Sequence, residues 1–233
     1  MNERVLITGA NRGIGLELVR QCLEQGDHVF AGCRQPQQAT ELHALAAAHP
    51  GQLSVLTLDV TDQESLDASR ETVRAQVEAL DVLFNNAAVH LGDETIRDLD
   101  VERLVRTFRV NAVGPVLVAQ CYLDLLKAGN APRIVNISSE AGSISKMERH
   151  RGYAYYGSKA ALNMFTRALA WDENVEGVVV VAVHPGWVRT DMGGSMAPVA
   201  PADSAQGILR VTAGLTRADS GKFYTYQGDE YPW

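Results

Sequence analysis

The stretch TGANRGIG, at residues 8–15, decides how this chain folds. It follows RVLIT, a short β-branched run at residues 4–8, and it leads into apolar residues that recur at helical spacing from Ile14 to Leu23. This order predicts a strand, a glycine turn and a helix, and the N–H groups at such a helix N-terminus bind a dinucleotide pyrophosphate. Because the spacing is G-x-x-x-G-x-G rather than the commoner G-x-G-x-x-G, a purely structural turn is the alternative.

The same alternation of strand and helix continues along the chain. Strands are predicted at residues 28–31, 53–58, 82–84, 133–138, 178–183 and 222–226, and helices at residues 37–48, 62–80, 98–127 and 153–171. Alternating strands and helices form parallel crossovers. We therefore predict an α/β protein with a single Rossmann-fold domain over residues 1–233, built on a doubly wound, seven-stranded parallel sheet with helices on both faces. The cofactor-binding part would reach about residue 150, and the active-site helix and substrate loop would occupy about residues 151–215.

Composition excludes several classes of function. The 233 residues include 21 basic and 28 acidic side chains, so the formal net charge of −7 lacks the basic surface that nucleic-acid binding requires. No apolar run approaches the roughly 20 residues of a membrane helix. Cys22, Cys33 and Cys121 match neither a zinc motif nor a disulfide framework, and we expect them to be buried apolar residues. We expect a soluble, cytoplasmic protein with no metal, nucleic-acid or membrane partner.

The end of the second predicted strand indicates which dinucleotide binds. A site that prefers NAD usually carries an acid there, which accepts hydrogen bonds from the ribose 2′-hydroxyl, whereas this chain has Gly32-Cys33-Arg34. Arg34 would face the 2′-phosphate of NADP, and Arg12 could add a second guanidinium. The sequence favours NADP(H); solvated surface arginines are the alternative.

Four polar side chains form a candidate proton-transfer set. Tyr155 and Lys159 lie four residues apart in a predicted helix, so they share one face, and an ammonium beside a phenol lowers the phenol's pKa. Ser138 and Ser139 end the fifth predicted strand at the sheet edge where α/β ligands bind. Asn111 interrupts an apolar helical run, and its amide would need partners, either structural or catalytic.

Residues 186–201 are rich in Gly, Pro and Met, and they follow the end of the sixth predicted strand. We predict a mobile lid over the substrate. Trp187, Met192 and Met196 would form an apolar pocket wall or would simply pack. His184 is predicted to be structural rather than a base.

In order along the chain, these motifs resemble the short-chain dehydrogenase/reductase family. The matching signatures are TGANRGIG (8–15), LDV (58–60), NNAA (85–88), VN (110–111), NISS (136–139), YYGSK (155–159) and HPGWVRT (184–190). Within the family, the chain is most similar to the small C-factor and sniffer-type carbonyl reductases, which share the run PGWVxTDMGG at residues 185–194.

The resemblance implies a role for each catalytic position. Tyr155 would be the acid/base, and Lys159 would bind the nicotinamide ribose and lower the phenol's pKa. Ser139, favoured over Ser138, would hydrogen-bond the substrate carbonyl. Asn111 would hold the water of a proton relay.

The resemblance also implies contacts with the cofactor, NADP(H). Asp59 and Val60 would contact the adenine, Asn85 and Ala87 the adenosine ribose, and Val188 and Thr190 the carboxamide. The full set implied is Gly9, Asn11, Arg12, Gly13, Ile14, Gly15, Arg34, Asp59, Val60, Asn85, Ala87, Val110, Tyr155, Lys159, Pro185, Val188 and Thr190.

Two departures from the family pattern bear on these roles. Ala88 replaces a glycine, so the backbone there must accept a Cβ. The segment between Ser139 and Tyr155 is about three residues longer than usual. It carries Lys146, Glu148, Arg149, His150 and Arg151, which would form a solvated loop or recognise an anionic substrate.

The expected function is hydride transfer between NADPH and a small to medium, largely apolar ketone or aldehyde, or the reverse reaction on the alcohol. The alternative is an NADP-binding signalling or regulatory protein of the C-factor type with little turnover. By analogy with relatives, we expect a homodimer or homotetramer that pairs through the helices at residues 98–127 and 153–171.

Overall fold

The predicted alternation of strand and helix is present in a computed structural model that describes residues 2–148 and 152–233. In these residues the strands are β1 Arg4–Thr8, β2 His28–Cys33, β3 Leu53–Thr57, β4 Val82–Asn85, β5 Arg133–Ile137, β6 Val179–His184 and β7 Phe223–Thr225. The helices are α1 Gly13–Glu24, α2 Thr40–Ala48, α3 Gln63–Arg74, α4 Val101–Phe108, α5 Gly114–Lys127, α6 Ala154–Trp171 and α7 Pro201–Gly214.

The strands form one seven-stranded sheet in the order β3-β2-β1-β4-β5-β6-β7, and every neighbouring pair is parallel. The chain winds outward from β1 to β3 and then returns to add β4 on the other side of β1. The carboxyl ends of β1 and β4 therefore lie at the topological switch point, where ligands of doubly wound sheets bind. The predicted Rossmann fold and sheet are confirmed.

The helices cover both faces of the sheet. Val5 and Ile7 of β1 pack into one core with α1, α2 and α7, whereas Leu6 between them packs into a second core with α3 and α5. This alternation follows from the two-residue period of a strand, and both faces are apolar because both are covered.

The predicted helix at residues 98–127 is interrupted. Between α4 and α5 lies a π-helical turn, Arg109–Val113, in which the Gly114 N–H bonds to the Arg109 carbonyl. Pro115 has no N–H, so the Asn111 carbonyl, four residues earlier, lacks its α-helical donor. The interruption therefore falls at a predicted catalytic residue, and π-turns inside helices are frequent at functional sites.

Most other element boundaries differ from the prediction by one to three residues, and two differences are larger. The helix predicted at residues 62–80 ends at Arg74, because the Leu80 and Asp81 N–H groups bond to Leu125 and Arg4 as the chain enters β4. Helix α7 was not predicted. It begins at Pro201, immediately after the Gly- and Pro-rich loop, and a proline is well tolerated in the first turn of a helix.

The cysteines are buried free thiols, as predicted. Burial raises the pKa of Cys22, Cys33 and Cys121, in the last case to about 11. In the described parts of the chain, no helix combines the length and apolarity needed to cross a membrane.

Candidate active site

A cleft of about 420 Å³ opens at the carboxyl edge of the sheet, above the switch point. It brings together residues from distant parts of the chain. The predicted site residues that line it are Gly9, Asn11, Arg12, Gly13, Ile14, Arg34, Asp59, Val60, Ala87, Val110, Tyr155, Lys159, Pro185 and Thr190. The other predicted residues, Gly15, Asn85, Asn111, Ser139 and Val188, are not in this lining.

The glycine-rich loop leaves the N-terminus of α1 open to the cleft. Gly9 has a φ of +63°, and a Cβ there would lie 2.8 Å from the Ala87 Cα. Arg12, the N-cap residue of α1, makes no side-chain cap. The first N–H groups and the positive end of the helix dipole can therefore meet a phosphate.

Gly15 is required by packing rather than by contact with the cleft. A Cβ on Gly15 would lie 2.4 Å from the Gly9 carbonyl oxygen and 2.5 Å from the Asn86 Nδ2. The Asn86 amide donates to the Thr8 and Gly9 carbonyls at 2.9 and 3.0 Å, so it ties the loop to the end of β4.

The two predicted arginines have different surroundings. Arg34 is exposed at the end of β2, and no ion pair among the described residues includes it. The Arg12 Nη1 lies 2.8 Å from the Asp191 Oδ2, and both side chains are exposed. Arg34 is therefore available to an anion, whereas Arg12 must exchange one carboxylate partner for another anion.

Tyr155 and Lys159 meet on one face of α6, as predicted. The Lys159 Nζ lies 5.8 Å from the centre of the Tyr155 ring and donates to the Ile137 carbonyl at 2.8 Å. Burial lowers the pKa of Lys159 to about 7. Burial also raises the pKa of Tyr155 to about 12, although a hydrogen bond with the Ser139 side chain opposes this shift. The expected net lowering of the phenol's pKa is therefore absent from the free protein, because burial dominates both groups.

The structure distinguishes the two adjacent serines. Hydrogen bonding by the Ser139 side chain lowers the pKa of Tyr155, and the Ser139 Oγ also accepts from the Ala141 N–H at 3.1 Å. Ser138 lines the cleft, but it is 2% exposed and its hydroxyl donates to the Asn163 Oδ1 at 2.6 Å. The Ser139 side chain is thus the one associated with the phenol.

The buried Asn111 amide is held by protein partners. Its Nδ2 donates to the Val89 carbonyl at 2.8 Å and to the Ser158 Oγ at 3.1 Å, and its Oδ1 accepts from the Val89 N–H at 2.8 Å. Ser158 in turn donates to the Tyr155 carbonyl at 2.8 Å. The Asn111 side chain therefore links the π-turn to α6. The backbone carbonyl of Asn111 is the group that lacks an α-helical donor, because Pro115 has no N–H.

Comparison with known proteins identifies the family of this chain. The family model for short chain dehydrogenases matches residues 3–199. The chain belongs to the short-chain dehydrogenase family. It is an oxidoreductase family whose members act on small molecules.

Individual relatives agree with this assignment. The C-signal protein of Myxococcus xanthus is 44% identical over 154 residues, which are 66% of this chain and 93% of C-signal. The NADPH-bound carbonyl reductase from chicken fatty liver is 38% identical, with a TM-score of 0.93 over 100% of this chain and 99% of that one. The carbonyl reductase Sniffer of D. melanogaster is 34% identical, with a TM-score of 0.94 over 100% of both chains. The resemblance stated from the sequence is confirmed.

Two further predicted cofactor residues of this short-chain dehydrogenase, besides Gly15, are absent from the cleft lining. The buried Asn85 amide donates to the Pro115 carbonyl at 3.2 Å and to the Asn136 Oδ1 at 2.9 Å, so it ties β4 to β5 and α5. Val188 is 5% exposed and forms an isolated bridge with Val199. Neither side chain reaches the described cleft lining.

Among the cleft residues that sequence reasoning missed, Asn86 and Asp191 make the clearest contacts with predicted site residues. Asn86 anchors the glycine-rich loop, and the second asparagine of NNAA was the available signal. Asp191 pairs with Arg12 across 179 residues of sequence, and no local pattern indicates such a contact.

The departures noted in the sequence have structural outcomes. Ala88 is not among the described residues with a positive φ, so its backbone accepts the Cβ. Lys146 and Glu148 are exposed, whereas Arg149, His150 and Arg151 lie outside the described residues. His184 behaves as a structural residue: its Nδ1 accepts from the Glu140 N–H at 3.1 Å, and burial lowers its pKa.

Part of the predicted lid lines the cleft, namely Arg189 to Met192 and Pro201. Met192 lines the cleft, but Trp187 and Met196 do not, and they are 55% and 84% exposed. The Trp187 Nε1 donates to the Gly193 carbonyl at 2.8 Å, so the loop folds back on itself. Of the three predicted wall residues, the structure brings only Met192 to the described cleft.

Proposed function

We propose that this protein is an NADPH-dependent carbonyl reductase. It would transfer hydride between the nicotinamide and a small to medium, largely apolar carbonyl compound, or the corresponding alcohol. The observation that carries the proposal is that Tyr155 and Lys159 line the same cleft as the open α1 N-terminus, with the Lys159 Nζ 5.8 Å from the centre of the Tyr155 ring. A hydrogen bond with the Ser139 side chain also acts on the phenol. The carbonyl reductases among its structural neighbours support this reading.

The chain's own residues would manage the proton. When bound, the reduced nicotinamide supplies the hydride for the carbonyl carbon. Because burial raises the pKa of Tyr155 to about 12, the phenol is protonated at neutral pH and can donate its proton to the carbonyl oxygen. The Ser139 hydroxyl would hydrogen-bond the same oxygen and stabilise the negative charge that develops there.

Lys159 and Asn111 would return a proton to Tyr155. With a pKa of about 7, the Lys159 amine can hold or release a proton near neutrality. The Asn111 backbone carbonyl would accept a hydrogen bond from a relay water, because Pro115, four residues later, has no N–H to donate to it.

The residues around the α1 N-terminus fit NADP(H). The uncapped helix end suits the pyrophosphate. Arg34, with Arg12 after it leaves Asp191, suits the 2′-phosphate. The NADPH in the chicken liver enzyme supports the same choice.

The test replaces Tyr155 with phenylalanine and follows NADPH oxidation with a panel of aldehydes, ketones, quinones and β-keto esters. Tyr156→Phe, on the adjacent residue, is the matched control. We expect Tyr155→Phe to lose at least about 100-fold in turnover, as is typical when a general acid is removed, with NADPH binding retained. If Tyr155→Phe turned over as fast as Tyr156→Phe, the mechanism would be wrong.

A second candidate is an NADP-binding signalling or regulatory protein with little turnover, which the similarity to C-signal favours. Tight NADPH binding without turnover of any compound in the panel would support this candidate. Turnover comparable with that of ordinary enzymes would exclude it.

We also propose a cytoplasmic homodimer or homotetramer that pairs through the helices at residues 98–127, which are α4 and α5 here, and through α6. Val105 of α4 and Met164 of α6 are apolar residues that are 53% and 66% exposed. Sedimentation of the wild type and of Met164→Glu tests the pairing: the wild type should be at least dimeric and the variant smaller. A monomeric wild type would reject it.

A further inference from the structure

A buried carboxylate caps the helix that carries Tyr155 and Lys159. Glu94, in the segment between β4 and α4, is 4% exposed. Its Oε1 accepts hydrogen bonds from the N–H groups of Tyr153, at 2.9 Å, and Ala154, from 59 and 60 residues away. These N–H groups are at the start of α6, where an anion also meets the positive end of the helix dipole.

This cap is tertiary rather than local. Tyr153, the N-cap residue of α6, supplies no side-chain cap, and the first turn contains no acidic residue. Helices such as α3 use a local carboxylate instead: the Asp62 Oδ1 accepts from the Glu64 N–H at 3.0 Å. The start of α6 therefore depends on a side chain from a different part of the fold.

The segment that carries Glu94 is also fixed at its other end. Both backbone groups of Val89 bond to the Asn111 side chain at 2.8 Å. Between these two attachments, the His90 ring packs edge-on against the Tyr155 ring, with 4.9 Å between centroids. Within residues 89–94, the His90 ring therefore packs against the side of the Tyr155 ring, and Glu94 caps the first turn of α6, which carries Tyr155.

We propose that Glu94 is a positioning residue for Tyr155. It touches no reacting atom and acts through α6, because Tyr155 directly follows Ala154, whose N–H the carboxylate binds. Without the cap, the first turn of α6 would fray and the phenol would leave its place beside Ser139. This inference rests on the proposed function, because turnover is one of its two readouts.

The experiment compares Glu94→Ala, Glu94→Gln and the matched control Asp62→Ala. Asp62→Ala removes a carboxylate cap from α3, which carries no candidate site residue. A displacement of about 1 Å can reduce turnover about 100-fold, so we expect Glu94→Ala to lose about that factor in kcat, with little change in the KM for NADPH. Glu94→Gln keeps an acceptor of roughly half the strength and should recover about half of the loss on a logarithmic scale. Asp62→Ala should keep wild-type kcat.

Hydrogen exchange on the free protein gives the second readout. Amides at residues 153–159 should exchange faster in Glu94→Ala than in the wild type, whereas those of α3 should not. If the wild type is active and Glu94→Ala matches Asp62→Ala in kcat, the positioning role is overturned. Unchanged exchange at residues 153–159 also overturns it.

The two readouts separate this inference from the proposed function. A wild type that turns over no carbonyl compound rejects the proposed function, while faster exchange in Glu94→Ala still supports the cap. If Glu94→Ala does not fold, Glu94→Gln decides: a kcat equal to that of the wild type overturns the proposal, and a fall of about tenfold at unchanged KM supports it.

Discussion

Replacing Arg34 with alanine should change the cofactor preference of this protein. Arg34 is exposed at the cleft, and no described carboxylate pairs with it. A hydrogen bond to a charged group contributes about 1.5–3 kcal/mol. The Kd for NADPH should therefore rise about 10- to 150-fold. The Kd for NADH, which has no 2′-phosphate, should change little.

Arg12→Ala should have a smaller effect than Arg34→Ala. Arg12 already lies 2.8 Å from Asp191, and both groups are exposed. Binding the 2′-phosphate would require it to give up this pair, which contributes at most about 1 kcal/mol, or about fivefold in Kd. For the same reason, Asp191→Asn should tighten NADPH binding by up to about fivefold.

The assay is a fluorescence titration of NADPH and NADH against the wild type and the three variants. Arg217→Ala, which removes an exposed arginine away from the cleft, is the control for the change in net charge. The differences should shrink at high salt, because exposed charges are screened. Equal weakening of NADPH and NADH in Arg34→Ala would refute this reasoning, as would a wild type that prefers NADH.

Three further predictions follow from buried groups. Burial lowers the pKa of Lys159 to about 7, and an anionic cofactor would raise it, so NADPH binding should take up a proton. The Kd for NADPH, measured by titration, should therefore rise between pH 7 and pH 9, and Lys159→Met should remove this rise. Gly15→Ala places a Cβ 2.4 Å from the Gly9 carbonyl oxygen, so it should reduce stability by about 1–3 kcal/mol in thermal melts and weaken NADPH binding; unchanged values would show that the loop can move. Asp81 accepts hydrogen bonds from Arg4 and Asn130, which hold its pKa below the usual range against burial. Its contribution is present above about pH 4 and is lost as pH falls through the lowered pKa, so Asp81→Asn should lose about 2–3 kcal/mol in denaturant unfolding at pH 7. A stability difference that did not shrink as the pH fell below about 4 would contradict this.

Several elements of the fold could be read from local sequence. Strand β1 begins and ends at the predicted residues, because a β-branched run bounded by glycine has few other conformations available. The prediction of one continuous helix at residues 98–127 was wrong, because a π-helical turn interrupts it. Helical periodicity alone does not reveal how Pro115 changes the hydrogen bonds around Asn111.

Some residues of the candidate site could likewise be predicted from local sequence, whereas the roles of others depend on the folded sheet. Residues whose role depends on local backbone, such as Gly9 and Gly13, are visible in the motif at residues 8–15. Asn85 and Asn86 are adjacent in sequence, yet the sheet directs the first into the interior and the second to the glycine-rich loop. Asn85 is the last residue of β4 and Asn86 directly follows it, so their side chains point in different directions. The amino-acid composition of the segment does not indicate this difference.

The amino-acid sequence alone determined three local features of the candidate site. They are a glycine turn before a helix, the absence of an acid after the second strand, and the placement of Tyr155 one helical turn from Lys159. These features depend on contacts within a few residues. The electrostatic state of the site depends on contacts between distant parts of the chain. Burial sets the pKa values of Tyr155 and Lys159. Asp191 forms an ion pair with Arg12, and Glu94 caps α6. Only folding brings such groups within hydrogen-bond distance, and only folding removes Tyr155, Lys159 and Glu94 from water.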